Sequence, residues 1–147
     1  MNNFFKIKIL FLLTLLTVCT SEATCVGSSR LETVLGDLNV LLHPSSVIMF
    51  TEDDKCQFIL LNNTQIEDLK KIILDDQSYD FDLTKEAVFI PSIVFFFRQG
   101  AEEVKLILSH HAEQILFKNG PECIAVIDCD PCFDELVHLT QSFRRGE

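Results

Sequence analysis

Five short apolar segments follow one another through the second half of this chain: Val88–Phe97, Val104–Ser109, Gln114–Phe117, Cys123–Asp128 and Leu136–Phe143. Each is closed by a turn signal. The breaks are Arg98-Gln99-Gly100, His110-His111-Ala112, Asn119-Gly120-Pro121 and Cys129-Asp130-Pro131-Cys132. Strands recurring every ~8–12 residues between such signals indicate an all-β meander, sandwich or barrel. Two further segments, Val47–Phe50 and Gln57–Leu61, flank the acidic loop Thr51–Lys55 and read as a hairpin. The expected fold is mostly β: an antiparallel up-and-down meander or barrel with one short helix.

Parity along these segments assigns faces. Val104, Leu106 and Leu108 point one way, and Phe95-Phe96-Phe97 puts rings on both faces. Cys123, Ala125, Ile127 and Cys129 share a face. Pro91 removes a ladder donor, so it belongs at an edge, a bulge or a strand start. In the final segment Val137, Leu139 and Phe143 alternate with His138, Thr140 and Ser142, which reads as a last strand. Nearer the N-terminus, Gly36 interrupts a helical pattern and 38–42 reads as a first strand, ended by His43-Pro44. The best helix signal is Thr64–Leu74. Thr64 and Glu67 form a capping box, and Ile66, Leu69, Ile72 and Ile73 share one side.

Residues 1–23 have the form of a secretory signal. Lys6 and Lys8 precede the apolar run Ile9–Val18, and the small residues Ser21 and Ala23 suit cleavage after Ala23. The run is well short of the ~20 residues that span a bilayer, so no membrane anchor is expected. Residues 24–147 then form a single secreted domain. Loss of Lys6, Lys8 and Glu22 leaves 10 basic and 21 acidic residues, a net charge of −11. That sign argues against nucleic acid and anionic membranes as partners.

Cys19 leaves with the signal, and Cys25, Cys56, Cys123, Cys129 and Cys132 remain as disulfide candidates. The odd number leaves either a buried thiol or a disulfide-linked dimer. Asn62-Asn63-Thr64 is a glycosylation sequon at Asn62 in a polar stretch between apolar runs.

No nucleophile elbow, phosphate-binding glycine loop or metalloprotease helix is present, and no catalytic residue, metal or cofactor is assigned. The acidic pairs Asp53-Asp54, Asp75-Asp76 and Glu102-Glu103 fall in expected turns, where solvated charge explains them. Cys129-Asp130-Pro131-Cys132 follows a strand and could open a helix, the arrangement of a thioredoxin-type redox site. The segments before it lack βαβ alternation, and structural disulfides account for the cysteines with fewer assumptions. A zinc site would need a second pair, for which only His110-His111 offers itself.

The order of signal, early glycine turn and short-strand meander is similar to that of a secreted lipocalin. Gly36 in Val34-Leu35-Gly36-Asp37-Leu38 stands where lipocalins carry Gly-x-Trp, with Leu38 in place of the tryptophan. Phe143-Arg144-Arg145 resembles the arginine-bearing end of the last barrel strand. Cys129–Arg145 resembles the corresponding segment of fish α1-acid-glycoprotein-like plasma lipocalins. The resemblance implies a barrel that carries a small hydrophobic molecule, with Phe89, Phe95, Phe97, Leu106, Leu108 and Phe117 as expected lining. The alternatives are a secreted protein-interaction module with a filled core and a Cys-x-Pro-Cys redox protein.

Overall fold

The computed structural model describes residues 29–51, 56–83 and 85–146. The expected signal, Cys25 and the acidic turn at 52–55 lie outside them. Six strands form one antiparallel sheet: β1 (Ser46–Thr51), β2 (Gln57–Leu60), β3 (Ile93–Gln99), β4 (Glu102–Ser109), β5 (Gln114–Asn119) and β6 (Glu122–Asp128). Their spatial order is β2-β1-β3-β4-β5-β6. The meander is the one expected from the spacing, but it does not close into a barrel. β2 and β6 are opposite edges and do not pair. The chain instead leaves β2 through a helix and re-enters the sheet on the far side of β1.

Turn chemistry sets the register. Gln99 pairs with Glu102 and Asn119 with Glu122, so both hairpins turn on two residues. Gly100 (φ 60°) and Gly120 (φ 56°) sit first in those turns, in the left-handed region where a Cβ is disfavoured. Pro91 lies just before β3, where its missing N–H disturbs no ladder. The faces of β3 and β4 are as parity requires. Phe95, Phe97, Leu106 and Leu108 are fully buried, and Phe96 points to the other side. On β6 parity fails, because a bulge opposite Phe117 and Lys118 resets the register. Ile127 and Cys129 are buried, Ala125 is half-buried and Cys123 is exposed.

The helices are α1 (Arg30–Leu35), α2 (Asn39–Leu42), α3 (Asn63–Ile73) and α4 (Phe133–Arg145). Their buried apolar residues join the inner face of the sheet in one cluster. α3 is the expected helix with a different cap. Asn62 Oδ1 accepts from Gln65 N at 2.9 Å, and Gln65 Oε1 accepts from Asn62 N at 3.0 Å.

Two expected strands are helices. The segment 38–42 contains α2, whose entry is fixed by Asp37 Oδ1 accepting from Asn39 N at 2.8 Å. Leu136–Phe143 lies within α4, which buries Leu136, Thr140 and Phe143, one turn apart in succession. Asp134 and Glu135 in its first turn and Arg144 and Arg145 in its last complement the helix dipole. Phe143-Arg144-Arg145 therefore ends a helix rather than a barrel strand, and Gly36 closes α1 rather than leading into a strand. Among the described residues, no helix is long and apolar enough to cross a membrane.

Candidate functional site: an open sheet face and a cysteine corner

The expected ligand-lining residues are in the core. Phe95, Phe97, Leu106, Leu108 and Phe117 are each 0% exposed. Phe89 is half-buried in the extended segment before β3. None of the six lines a described surface groove. The groove between α1 and the β6 edge, about 380 Å³, is formed by Arg30, Val34, Phe81, Val126 and neighbours. The helices fill the space that a barrel would have enclosed.

The outer face of the sheet carries what the sequence reading missed. Register aligns Phe58, Phe50, Val94, Ile107, Leu116 and Val126 in one row across all six strands. The adjacent row runs Leu60, Ile48, Phe96, Lys105 and Lys118. Phe58 is 71% exposed, Leu60 70% and Val126 50%, while Ile48, Phe50, Val94, Phe96, Ile107 and Leu116 are half-buried. The rings of Phe50 and Phe58 pack 4.7 Å apart, and Lys105 Nζ lies 5.3 Å from the Phe96 ring centre. Six strands ~4.8 Å apart and ~20 Å long give a face of roughly 580 Å². The apolar row crosses that whole face, with Arg98, Glu103, Lys105 and Lys118 to one side of it. The sequence signal was available: these strands carry apolar residues at both parities.

The second constellation lies where β6 meets α4. Cys129 follows β6 and caps the 3-10 turn Asp130–Cys132, which leads into α4. The strand–Cys-x-Pro-Cys–helix order is therefore present, in a sheet without βαβ units. Both cysteines are buried. Cys129 Sγ lies 3.1 Å from Glu113 O, and the two thiols hydrogen-bond each other. The bond with Cys129 holds the Cys132 thiol below its ordinary value. The same bond, together with burial, pushes Cys129 up. Tyr79 stands beside them, its hydroxyl donating to Ile73 O at 2.7 Å, and burial raises its phenol well above the usual range.

Around this corner Lys85 gathers three carboxylates. Its Nζ is 3.3 Å from Glu113 and 3.1 Å from Asp128, and it hydrogen-bonds Asp130. Burial opposes the ammonium, but the carboxylates outweigh it and hold its pKa above the ordinary lysine value. Lys85 in turn lowers Asp130. One cation holds three carboxylates from separate segments together, which is the arrangement of a structural tie.

The remaining candidates are dispersed. Cys56 and Cys123 are exposed at opposite edges of the sheet. Asn62 is exposed, and its cap uses Oδ1, which leaves Nδ2 available to a glycan. His110 packs edge-on against Phe133 at 5.8 Å, and burial followed by the Arg144 charge lowers its pKa. Among the described residues, no three His, Cys, Asp or Glu side chains are grouped to hold a metal.

No protein-family model matches the sequence, and no curated protein matches it. Among solved structures the fold is similar to the crystal structure of a putative lipoprotein from Clostridium perfringens. The TM-score is 0.52 at 15% identity, over 78% of this chain and 96% of that one. A likeness at that identity is one of fold.

Proposed function

We propose that this chain is a secreted protein-interaction module with a filled core, and that its open sheet face packs against the same face of a second copy. The observation that carries the reading is the unbroken apolar row Phe58–Phe50–Val94–Ile107–Leu116–Val126 on a face whose opposite side is already packed. A carrier needs an interior cavity. Here five of the residues expected to line one are buried in a core that the helices share.

Area and symmetry favour a second copy. A stable pair buries ~800 Å² per partner, and the ~580 Å² face supplies most of that area. A two-fold axis laid along the apolar row stacks that row on itself, in the manner of two sheets ~10 Å apart. Lys105 and Lys118 lie one row away, so the axis puts the lysines of the two copies on opposite sides. Their lateral separation is then ~14 Å, beyond the ~8 Å screening length at physiological salt. Glu103 lies on the same face and pairs with Arg98 and Lys105, so the charges at that end of the face are partly neutralised within one copy.

Analytical ultracentrifugation over a concentration series tests this. A dimer at micromolar concentration is expected, with Phe58→Glu and Val126→Glu each weakening it by at least about tenfold while leaving the dichroism spectrum unchanged. A monomer at every concentration, or dimers indifferent to both charges, overturns the proposal.

A further inference from the structure

We propose that Cys129 and Cys132 close an intramolecular disulfide, a redox clasp at the junction of β6 and α4 that is independent of the sheet-face reading. Cys132 N donates to Cys129 O at 3.0 Å, so the pair spans a single tight turn. Such a turn holds its end Cα atoms under ~7 Å apart, within the ~4.4–6.8 Å that a disulfide bridges. Pro131 fixes one backbone angle between them and lowers the cost of keeping the turn. Closure then needs removal of both thiol protons and two electrons, with rotation about the side-chain bonds.

The other described cysteines have no comparable partner. Cys56 and Cys123 lie at opposite edges of six strands, ~24 Å apart at ordinary strand spacing. Cys123 and Cys129 lie six residues apart along extended chain, ~20 Å. Neither distance can be bridged without unfolding the sheet.

The step balances with an exchangeable disulfide as oxidant, for which oxidised glutathione serves. The Cys132 thiolate attacks one glutathione sulfur, and a glutathione thiolate leaves. Cys129 loses its proton to solvent, attacks the Cys132 sulfur of the mixed disulfide and expels the second glutathione thiolate. Two protein thiols are oxidised, one disulfide is reduced, and the two protons end on the departing glutathiones. Cys132 is the attacking thiol because it stands at the N-terminal end of α4, with Ser78 also supporting its charged form. The pair is 0% and 4% exposed, so exchange proceeds in the folding chain or through local opening, and the closed bond is shielded afterwards.

The test uses the native mature chain, refolded with oxidised glutathione, denatured in excess iodoacetamide and digested by a protease cutting before aspartate. That cleavage separates Asp128-Cys129 from Asp130-Pro131-Cys132-Phe133. The two fragments are expected to remain joined, about 2 Da lighter than their sum, while Cys56 and Cys123 carry glutathione or the alkyl group. In reduced native protein, Cys56 and Cys123 are expected to alkylate at least about tenfold faster than the clasp pair. Separate alkylated fragments from the oxidised sample, or a bond from either cysteine to Cys25, overturn the proposal.

Discussion

Truncating Phe95 distinguishes a filled core from a ligand cavity. Phe95 lies on β3 between Met49 of β1 and Leu106 of β4, all three 0% exposed. In a packed interior, removing the ring forfeits its transfer energy and leaves a void, so Phe95→Ala is expected to cost about 3–5 kcal/mol. Domains of this size hold only ~5–15 kcal/mol in total, so the change removes a large share of stability. At about 4 °C per kcal/mol, the melting temperature falls by roughly 12–20 °C. Urea unfolding at a fixed, dilute protein concentration measures the cost, with an unchanged slope showing that the folded state is still compact. If Phe95→Ala is too unstable to assay, Phe95→Leu gives the same sign at about 1 kcal/mol. Phe58→Ala is the control: a ring 71% exposed on the outer face should move monomer stability by no more than about 0.5 kcal/mol. A ring on a cavity wall would behave otherwise. If Phe95→Ala and Phe117→Ala each cost under about 1 kcal/mol, the interior has free volume and the filled-core reading fails.

Three further outcomes are expected. Lys85→Met strips the fully buried Asp128 carboxylate of its cation and should cost about 2–3 kcal/mol by urea unfolding. The pH limits of that tie follow from two shifts. Asp130 is lowered, so its contribution is present above the usual carboxylate pKa and is lost as pH falls through its folded value, while Lys85 is raised, so its contribution is present below the usual lysine pKa and is lost as pH rises through its folded value. Stability measured against pH should therefore show no loss from this tie near neutrality, and the acid limb should shrink in the Lys85→Met chain. His110 is lowered by burial and Arg144, so the folded state gives up its proton first and stability falls as pH drops below the ordinary histidine value; NMR titration should place His110 below that value and Arg144→Gln should raise it. In a secretory host Thr64→Ala should abolish a glycan-dependent gel shift and leave the α3 cap intact, whereas Asn62→Ala should lose the glycan and about 1 kcal/mol, and Asn62→Asp should restore the cap alone.

Strands were legible wherever period two had a turn on each side. β3, β4 and β5 are bounded by Gly100, Gly120 and the His110-His111 turn, and parity groups Phe95 with Phe97 and Leu106 with Leu108, but only the structure shows that this face, with Phe117, is the inward one. The last segment misled because, over eight residues, Val137, Leu139 and Phe143 fit alternation while Leu136, Thr140 and Phe143 fit a helix. The polar Thr140 hid the helical stripe, although the Asp134-Glu135 start and Arg144-Arg145 end were helix signals. Barrel closure was not readable at all. It depends on whether β2 meets β6, and the crossover through α3 puts β1, β3, β4 and β5 between them. The outer apolar row was visible as residues but not as a site, since only register shows that Phe50, Ile107 and Val126 stand in line. The Lys85 tie joins positions 85, 113, 128 and 130 and has no local signature.

The way the sheet ends bears on how it associates. An apolar face and an open edge are both routes to assembly, and edge pairing has no natural stopping point. At one edge β2 is only four residues long. At the other, the bulge at Phe117/Lys118 breaks the β6 ladder and twists it away from a flat template. Both edges are thus poor templates, while the face between them keeps an uninterrupted row. A chain with a formal charge of −10 stays dispersed while carrying such a row, because repulsion among its acidic surfaces opposes indiscriminate contact. On the face itself the charged residues Arg98, Glu103, Lys105 and Lys118 sit to one side of the row, with Glu103 held by Arg98 and Lys105. Face-to-face pairing under a two-fold axis buries the row once and leaves nothing to add a third copy, which is the closed association that a dispersed, acidic domain of this shape can sustain.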